Sequence, residues 1–247
     1  MHWRSYKNIW MLLKAPGTKP GRAKHKAGLH IISTECMATT NQLFNTERQL
    51  SIAEEIKDLT FEADALHGLR NIHRRVGDYD KAMEYLEQGL IALSELEAIV
   101  EQADTYAIMG ELLLARGGRE KEAIEILQIA SGILETHGPK EFCGLSKTLC
   151  NLGEAYMRIK AWDDAITTLE KSISISASIE FELTRNGLQS DANQILGRTY
   201  LEQYYIDESM VGVPEKRGEV IGKASFCCQV AINLRRMSAE FFMQSYF

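Results

Sequence analysis

Proline is scarce in this 247-residue chain. Only Pro16, Pro20, Pro139 and Pro214 occur, so almost the whole length is free to be helical. No stretch approaches the roughly 18–20 uninterrupted apolar residues of a membrane-spanning helix. The five cysteines, Cys36, Cys143, Cys150, Cys227 and Cys228, are odd in number and include no C-x-x-C pair. That argues against a zinc knuckle, a thioredoxin-type site or a disulfide framework, and fits a reducing compartment, cytoplasm or nucleus. Catalytic signatures are also missing: there is no G-x-S-x-G, H-E-x-x-H or Walker-type phosphate loop. His67 and His73, six apart, fall on different faces of one helix and make no i, i+4 metal pair. No catalytic residue, metal or cofactor is expected, and the reading is of a protein that is not an enzyme.

What is present is ordinary globular composition, with 45% hydrophobic and 25% charged residues. The charge is unevenly spread. Residues 1–37 hold seven basic residues (Arg4, Lys7, Lys14, Lys19, Arg22, Lys24, Lys26) and one acid, Glu35. The remaining 210 residues hold 21 basic and 33 acidic residues, a net of −12. A body of that sign disfavours direct nucleic-acid binding and favours a basic partner.

Residues 1–37 read as a separate basic extension. Trp3, Tyr6, Trp10 and Leu13 fall at near-helical spacing among basic residues, and a stretch rich in Gly, Pro and Lys, Ala15 to Gly28, follows. The expectations here are a disordered or mis-annotated extension, a mitochondrial targeting peptide, or a basic tail. Met37 offers a start of its own.

Beyond it the sequence repeats. Ala82, Ala123 and Ala165 recur at intervals of 41 and 42 residues. In each unit an apolar-periodic helix leads into a polar turn, and a second such helix follows. The expected units span about 62–97, 103–136, 145–179 and 190–237, the last interrupted by a loop at 204–218. Upstream, Asn41 to Asp58 reads as the second helix of an incomplete leading unit. Small residues recur where two helices must approach: Gly110, Gly153 and Gly197 in first helices, the three alanines in second helices. A glycine inside a helix costs about 1 kcal/mol relative to alanine, so its recurrence points to packing.

Leu149, Leu152, Gly153, Tyr156, Trp162, Ala165, Leu169 and Ser172 resemble the tetratricopeptide repeat pattern almost position for position. Leu66, Leu69, His73, Tyr79, Ala82, Leu86 and Gly89 match nearly as well, with Arg70 at the small-residue position. The resemblance covers about residues 40–237 and implies an all-α superhelix, a solenoid of antiparallel helical hairpins. Periods near 41 resemble the long-repeat subset that includes kinesin light chains, G-protein-signalling modulators and Tonsoku-like proteins. Leu196-Gly197-Arg198-Thr199-Tyr200-Leu201 and the Asn71–Tyr79 run are similar to the last of these, which are replication-fork repair scaffolds.

The resemblance implies a protein-interaction scaffold whose first helices line a groove through their second, fifth, ninth, twelfth and thirteenth positions. Carried over, these are Asp64, His67, Asn71, Arg74 and Arg75 in the first full unit, and Asp104, Ala107, Glu111, Leu114 and Ala115 in the next. The third unit gives Lys147, Cys150, Glu154, Met157 and Arg158, and the fourth Asp191, Gln194, Arg198, Leu201 and Glu202. Arg75 and Arg158 hold equivalent places two units apart, so they could act on one ligand. A groove of mixed charge suits an extended or helical peptide of another protein, basic in character. The alternatives are an adaptor of the kinesin-light-chain or signalling-modulator kind, a carboxylate clamp using Asn71, and a structural spacer with no ligand. Phe241, Phe242, Tyr246 and Phe247 read as a hydrophobic end awaiting a further repeat or chain.

Overall fold

The computed structural model describes residues 23–206 and 214–245, with side chains described over 39–138, 140–206 and 217–240. Among the described residues there are nine α-helices, one short 3-10 turn (Pro139–Glu141) and no strand. In order they are α1 (Ala23–Ile56), α2 (Leu59–Val76), α3 (Tyr79–Glu95), α4 (Ile99–Arg116) and α5 (Glu120–Thr136). Then follow α6 (Phe142–Arg158), α7 (Trp162–Ser176), α8 (Glu182–Ile206) and α9 (Pro214–Ser245). The fold class is the expected all-α helical repeat. The chain divides into two compact units after Ile99.

In the first unit α2 packs against both α1 and α3. Its start is fixed by Asp58, whose carboxylate accepts from the backbone N–H of Thr60 and Phe61 at 3.1 and 3.0 Å. Its end is fixed by Gly77, which adopts φ 78° and lets Asp78 N–H reach His73 O at 2.9 Å. Leu66, Leu69, Ile72, Ala82 and Ala92 form the buried core. His73 is a core histidine, stacked on Tyr85 at 5.4 Å with its Nδ1 3.6 Å from Asp78. Burial holds its pKa below the ordinary histidine value, partly offset by the Asp78 carboxylate. Arg70, standing where later units have glycine, is buried at 4% exposure against the His67 ring.

The second unit shows why that position is otherwise glycine. A Cβ on Gly110 would lie 2.4 Å from Leu127 Cγ, and one on Gly153 would lie 2.5 Å from Leu169 Cγ. One on Gly197 would meet Cys228 Sγ at 3.1 Å and Ala224 O at 3.3 Å. Each glycine therefore admits the facing second helix to a distance no side chain permits. One helical stretch along, Ser146 and Ser172 donate to each other's backbone carbonyls at 3.1 and 2.7 Å, and Ser190 donates to Ala231 O at 3.1 Å. Hairpin α6–α7 then shares a core with α8 and α9 through Cys150, Leu169, Ala192 and Leu196, with Cys227 from α9.

The structure corrects several boundaries. First helices begin before the expected positions, at Leu59, Ile99 and Phe142 rather than 62, 103 and 145, and at Glu182 rather than 190. Helix α1 begins at Ala23, inside the segment read as an extension, because no proline follows Pro20 there. Trp3, Tyr6, Trp10, Leu13, Tyr246 and Phe247, and the side chains of Phe241 and Phe242, lie outside the described residues.

Within the expected loop at 204–218, residues 204–206 and 214–218 are helical. Gly77, Gly117 and Lys160 end their first helices in the left-handed conformation. The equivalent residue in α8 is Tyr204, which is buried and continues the helix to Ile206. Pro214 then opens α9, as a first-turn proline can. Residues 207–213 are not described.

Two outcomes follow from this packing. Lys160 holds φ 65°, with Ala161 N–H reaching Tyr156 O at 3.0 Å, where the earlier units use glycine. Lys160→Gly is expected to stabilise by about 1 kcal/mol, read as a higher melting temperature; a fall would show that the lysine side chain makes a compensating contact. Gly153→Ala is expected to destabilise by about 1–3 kcal/mol despite alanine's better helix propensity. Its penalty should shrink in a Leu169→Ala background, because the clash is with that side chain. Additive effects in denaturant melts would place the close approach elsewhere.

Candidate functional site

Helices α6 and α8, both first helices of their hairpins, lie against each other in the second unit. Between them is a concavity of about 290 Å3. Lys147, Cys150, Asn151 and Glu154 come from α6; Leu188, Asp191, Gln194, Ile195 and Arg198 come from α8. Six of these were expected from the sequence: Lys147, Cys150, Glu154, Asp191, Gln194 and Arg198. Helical spacing puts successive members of each set about a turn or two apart on one stripe.

The remaining expected residues are placed elsewhere. Met157 and Leu114 are core residues, at 1% and 4% exposure. Arg158 turns its Nη1 to the Leu114 carbonyl and gives Nη2 to Glu154 at 2.6 Å, so it braces α6 against α4 outside the lining. Glu202 pairs with Arg198 at 3.5 Å from beyond the rim. Asp104 is exposed, and burial together with the Glu141 and Glu101 charges raises its carboxyl pKa.

Asp64, His67, Asn71, Arg74 and Arg75 all lie on α2, in the first unit. Arg74 and Arg75 are exposed there, and Arg75 Nη1 stands 3.4 Å from Gln42 Oε1. Burial and the adjacent Arg70 lower the His67 pKa, so it is a neutral acceptor at pH 7. The structure describes the α2 set and the α6–α8 set in separate units.

Every charged lining residue is partnered from outside the lining. Lys147 Nζ meets Glu111 Oε2 at 3.1 Å, Glu154 takes Arg158, and Arg198 takes Glu202. Asp191 Oδ1 takes Arg235 Nη2 at 3.1 Å. The site thus presents balanced, oriented charge over an apolar floor of Leu188, Ile195 and Cys150. Burial, then the Asp191 and Glu154 carboxylates, push the Cys150 thiol up to about 12, with Lys147 acting weakly the other way. At neutral pH it is a protonated, inert thiol rather than a nucleophile.

Sequence reasoning missed Asn151, Leu188 and Ile195, which sit one position beside expected groove residues or one turn before them. It also missed Arg235, which reaches in from the second helix α9, where the groove pattern assigns nothing. Among the described residues no group of three or more His, Cys, Asp or Glu could hold a metal, and no helix is long and apolar enough to cross a membrane.

Comparison with known proteins bears on the fold. Residues 65–98 and 146–179 each match a tetratricopeptide repeat model, so the first and third expected units are repeats of that type. Tetratricopeptide repeat protein 29 of Trypanosoma brucei brucei is 25% identical over 158 residues. That match covers 64% of this chain and 31% of the relative, so the chain corresponds to about a third of that protein.

Among solved structures, the nearly identical TPR-like repeats described for a kinesin light chain of Podosopora anserina superpose with TM-score 0.58 at 16% identity, covering 83% of this chain and 90% of that one. A Rap protein complexed with Competence and Sporulation Factor superposes with TM-score 0.56 at 16% identity, covering 86% of this chain and 63% of that one. These likenesses are of fold. The chain is an all-α helical repeat protein with two segments that match tetratricopeptide repeat models.

The cysteines test the described burial directly. With a thiol reagent at pH 8, exposed Cys143 and Cys228 should react in the native chain, whereas Cys150 should react only after denaturation. Native labelling of Cys150 at a similar rate would show that the floor of the concavity is open and its thiol ionised.

Proposed function

We propose that the α6–α8 concavity is the docking face for an extended or helical segment of a partner protein. The observation that supports this most is convergence. Three groove positions taken from each of two separate repeats meet in one concavity. The oriented charges there suit specificity more than affinity, since exposed pairs each contribute only about 0.2–1 kcal/mol. A partner segment of basic character fits the net −12 of residues 38–247.

The proposed setting is a Tonsoku-like replication-fork repair complex, in the nucleus or cytoplasm. It rests on the likeness of Asn71–Tyr79 and Leu196–Leu201 to those proteins. An adaptor of the kinesin-light-chain or signalling-modulator kind is the alternative setting for the same docking face.

The test is affinity capture on the full chain, with Lys147→Glu/Arg198→Glu as the comparison. Both side chains are more than half exposed, at 60% and 52%, so the melting temperature should be unchanged. The reading expects a specific set of proteins recovered by the wild type and lost by the double variant. Retention of the same set would reject the concavity as the docking face. Recovery of no specific protein by either would favour a rigid spacer.

A further inference from the structure

Two carboxylates line the concavity, and they are held differently. Glu154 is bound by Arg158, which is itself fixed to the Leu114 carbonyl, so that pair belongs to the framework. Asp191 is bound by Arg235 of α9, and the two side chains are 60% and 59% exposed. A single nitrogen, Arg235 Nη2, donates to Asp191 Oδ1 at 3.1 Å and to Gln194 Oε1 at 2.8 Å. These acceptors stand three residues apart on α8, side by side on the helix surface. Their spacing therefore already fits one guanidinium NH2 group.

We propose that Asp191 and Gln194 form an arginine-recognition subsite, filled in the free chain by Arg235 and in the complex by an arginine side chain of the partner. The inference rests on the docking face argued above and names the residue class that face reads. Guanidinium is the suited cation because its planar donors can serve a carboxylate and an amide oxygen together, whereas an ammonium is a compact, strongly hydrated point charge. Arg235 is a replaceable occupant because its pair is exposed. Giving it up should cost an incoming arginine less than about fivefold in affinity.

The test uses the full chain and N-acetyl-arginine amide, followed through the Gln194 side-chain amide signal in NMR. N-acetyl-citrulline amide and N-acetyl-lysine amide serve as the neutral and the point-charge controls. The expected result is a saturable shift with arginine, none with citrulline, and weaker binding of lysine. Arg235→Gln should tighten arginine binding by about two- to fivefold. Asp191→Asn should weaken it by about two- to fivefold.

Equal response to citrulline or lysine, unchanged binding in Asp191→Asn, or no tightening in Arg235→Gln would overturn the subsite. Should arginine fail here while Lys147→Glu/Arg198→Glu still abolishes capture, the subsite is wrong and the docking face stands. Should arginine bind as described while that double variant captures normally, the docking face is wrong and the subsite stands.

Discussion

A helix crossing without a side chain is the contact on which the second unit depends. Gly110 and Gly153 lie so close to Leu127 and Leu169 that even a methyl group would overlap the facing leucine. Gly197 repeats the arrangement against Cys228 and the Ala224 carbonyl, slightly less tightly. Each glycine gives up helix propensity, about 1 kcal/mol. What Gly110 and Gly153 gain is a fully buried leucine each, and burial of such a side chain is worth roughly 1.5–3 kcal/mol. The Ser146–Ser172 pair and the Ser190 hydroxyl on the Ala231 carbonyl hold the same close approach with their backbone carbonyls hydrogen-bonded.

The concavity is a consequence of that packing. Because Leu169 is drawn into the α6–α7 crossing, it can also meet Leu196 and Ala192 of α8 in one core cluster. Helices α6 and α8 are thereby set side by side, and the polar stripes left facing away from the cluster become the two walls of the site. The ion pairs from Glu111, Arg158, Glu202 and Arg235 then orient the wall residues. Loss of side-chain freedom is met within the free chain rather than on binding, which is how a preorganised face keeps modest contacts useful.

The hairpin pattern was legible in the sequence because helix periodicity assigns a core face, and six of the nine lining residues because the tetratricopeptide resemblance assigns groove positions once a register is fixed. Ala82, Ala123, Ala165 and the glycines fixed it. The failures are equally specific. Helix α8 runs past its expected end because the other first helices stop at a left-handed residue, Gly77, Gly117 or Lys160, and Tyr204 at the same position continues the helix. Met157 and Leu114 satisfied the groove register but are apolar, and burial claimed them. Arg235 was invisible to a first-helix pattern because it acts across the hairpin from α9.

The account's central claim is that the partner meets the α6–α8 face rather than the second-helix face. The most direct measurement is site-specific photocrosslinking, with a photoreactive residue placed either at Gln194 on α8 or at exposed Thr167 on α7. The account predicts a crosslinked partner band from position 194 and none from position 167. A band from position 167 alone would contradict it.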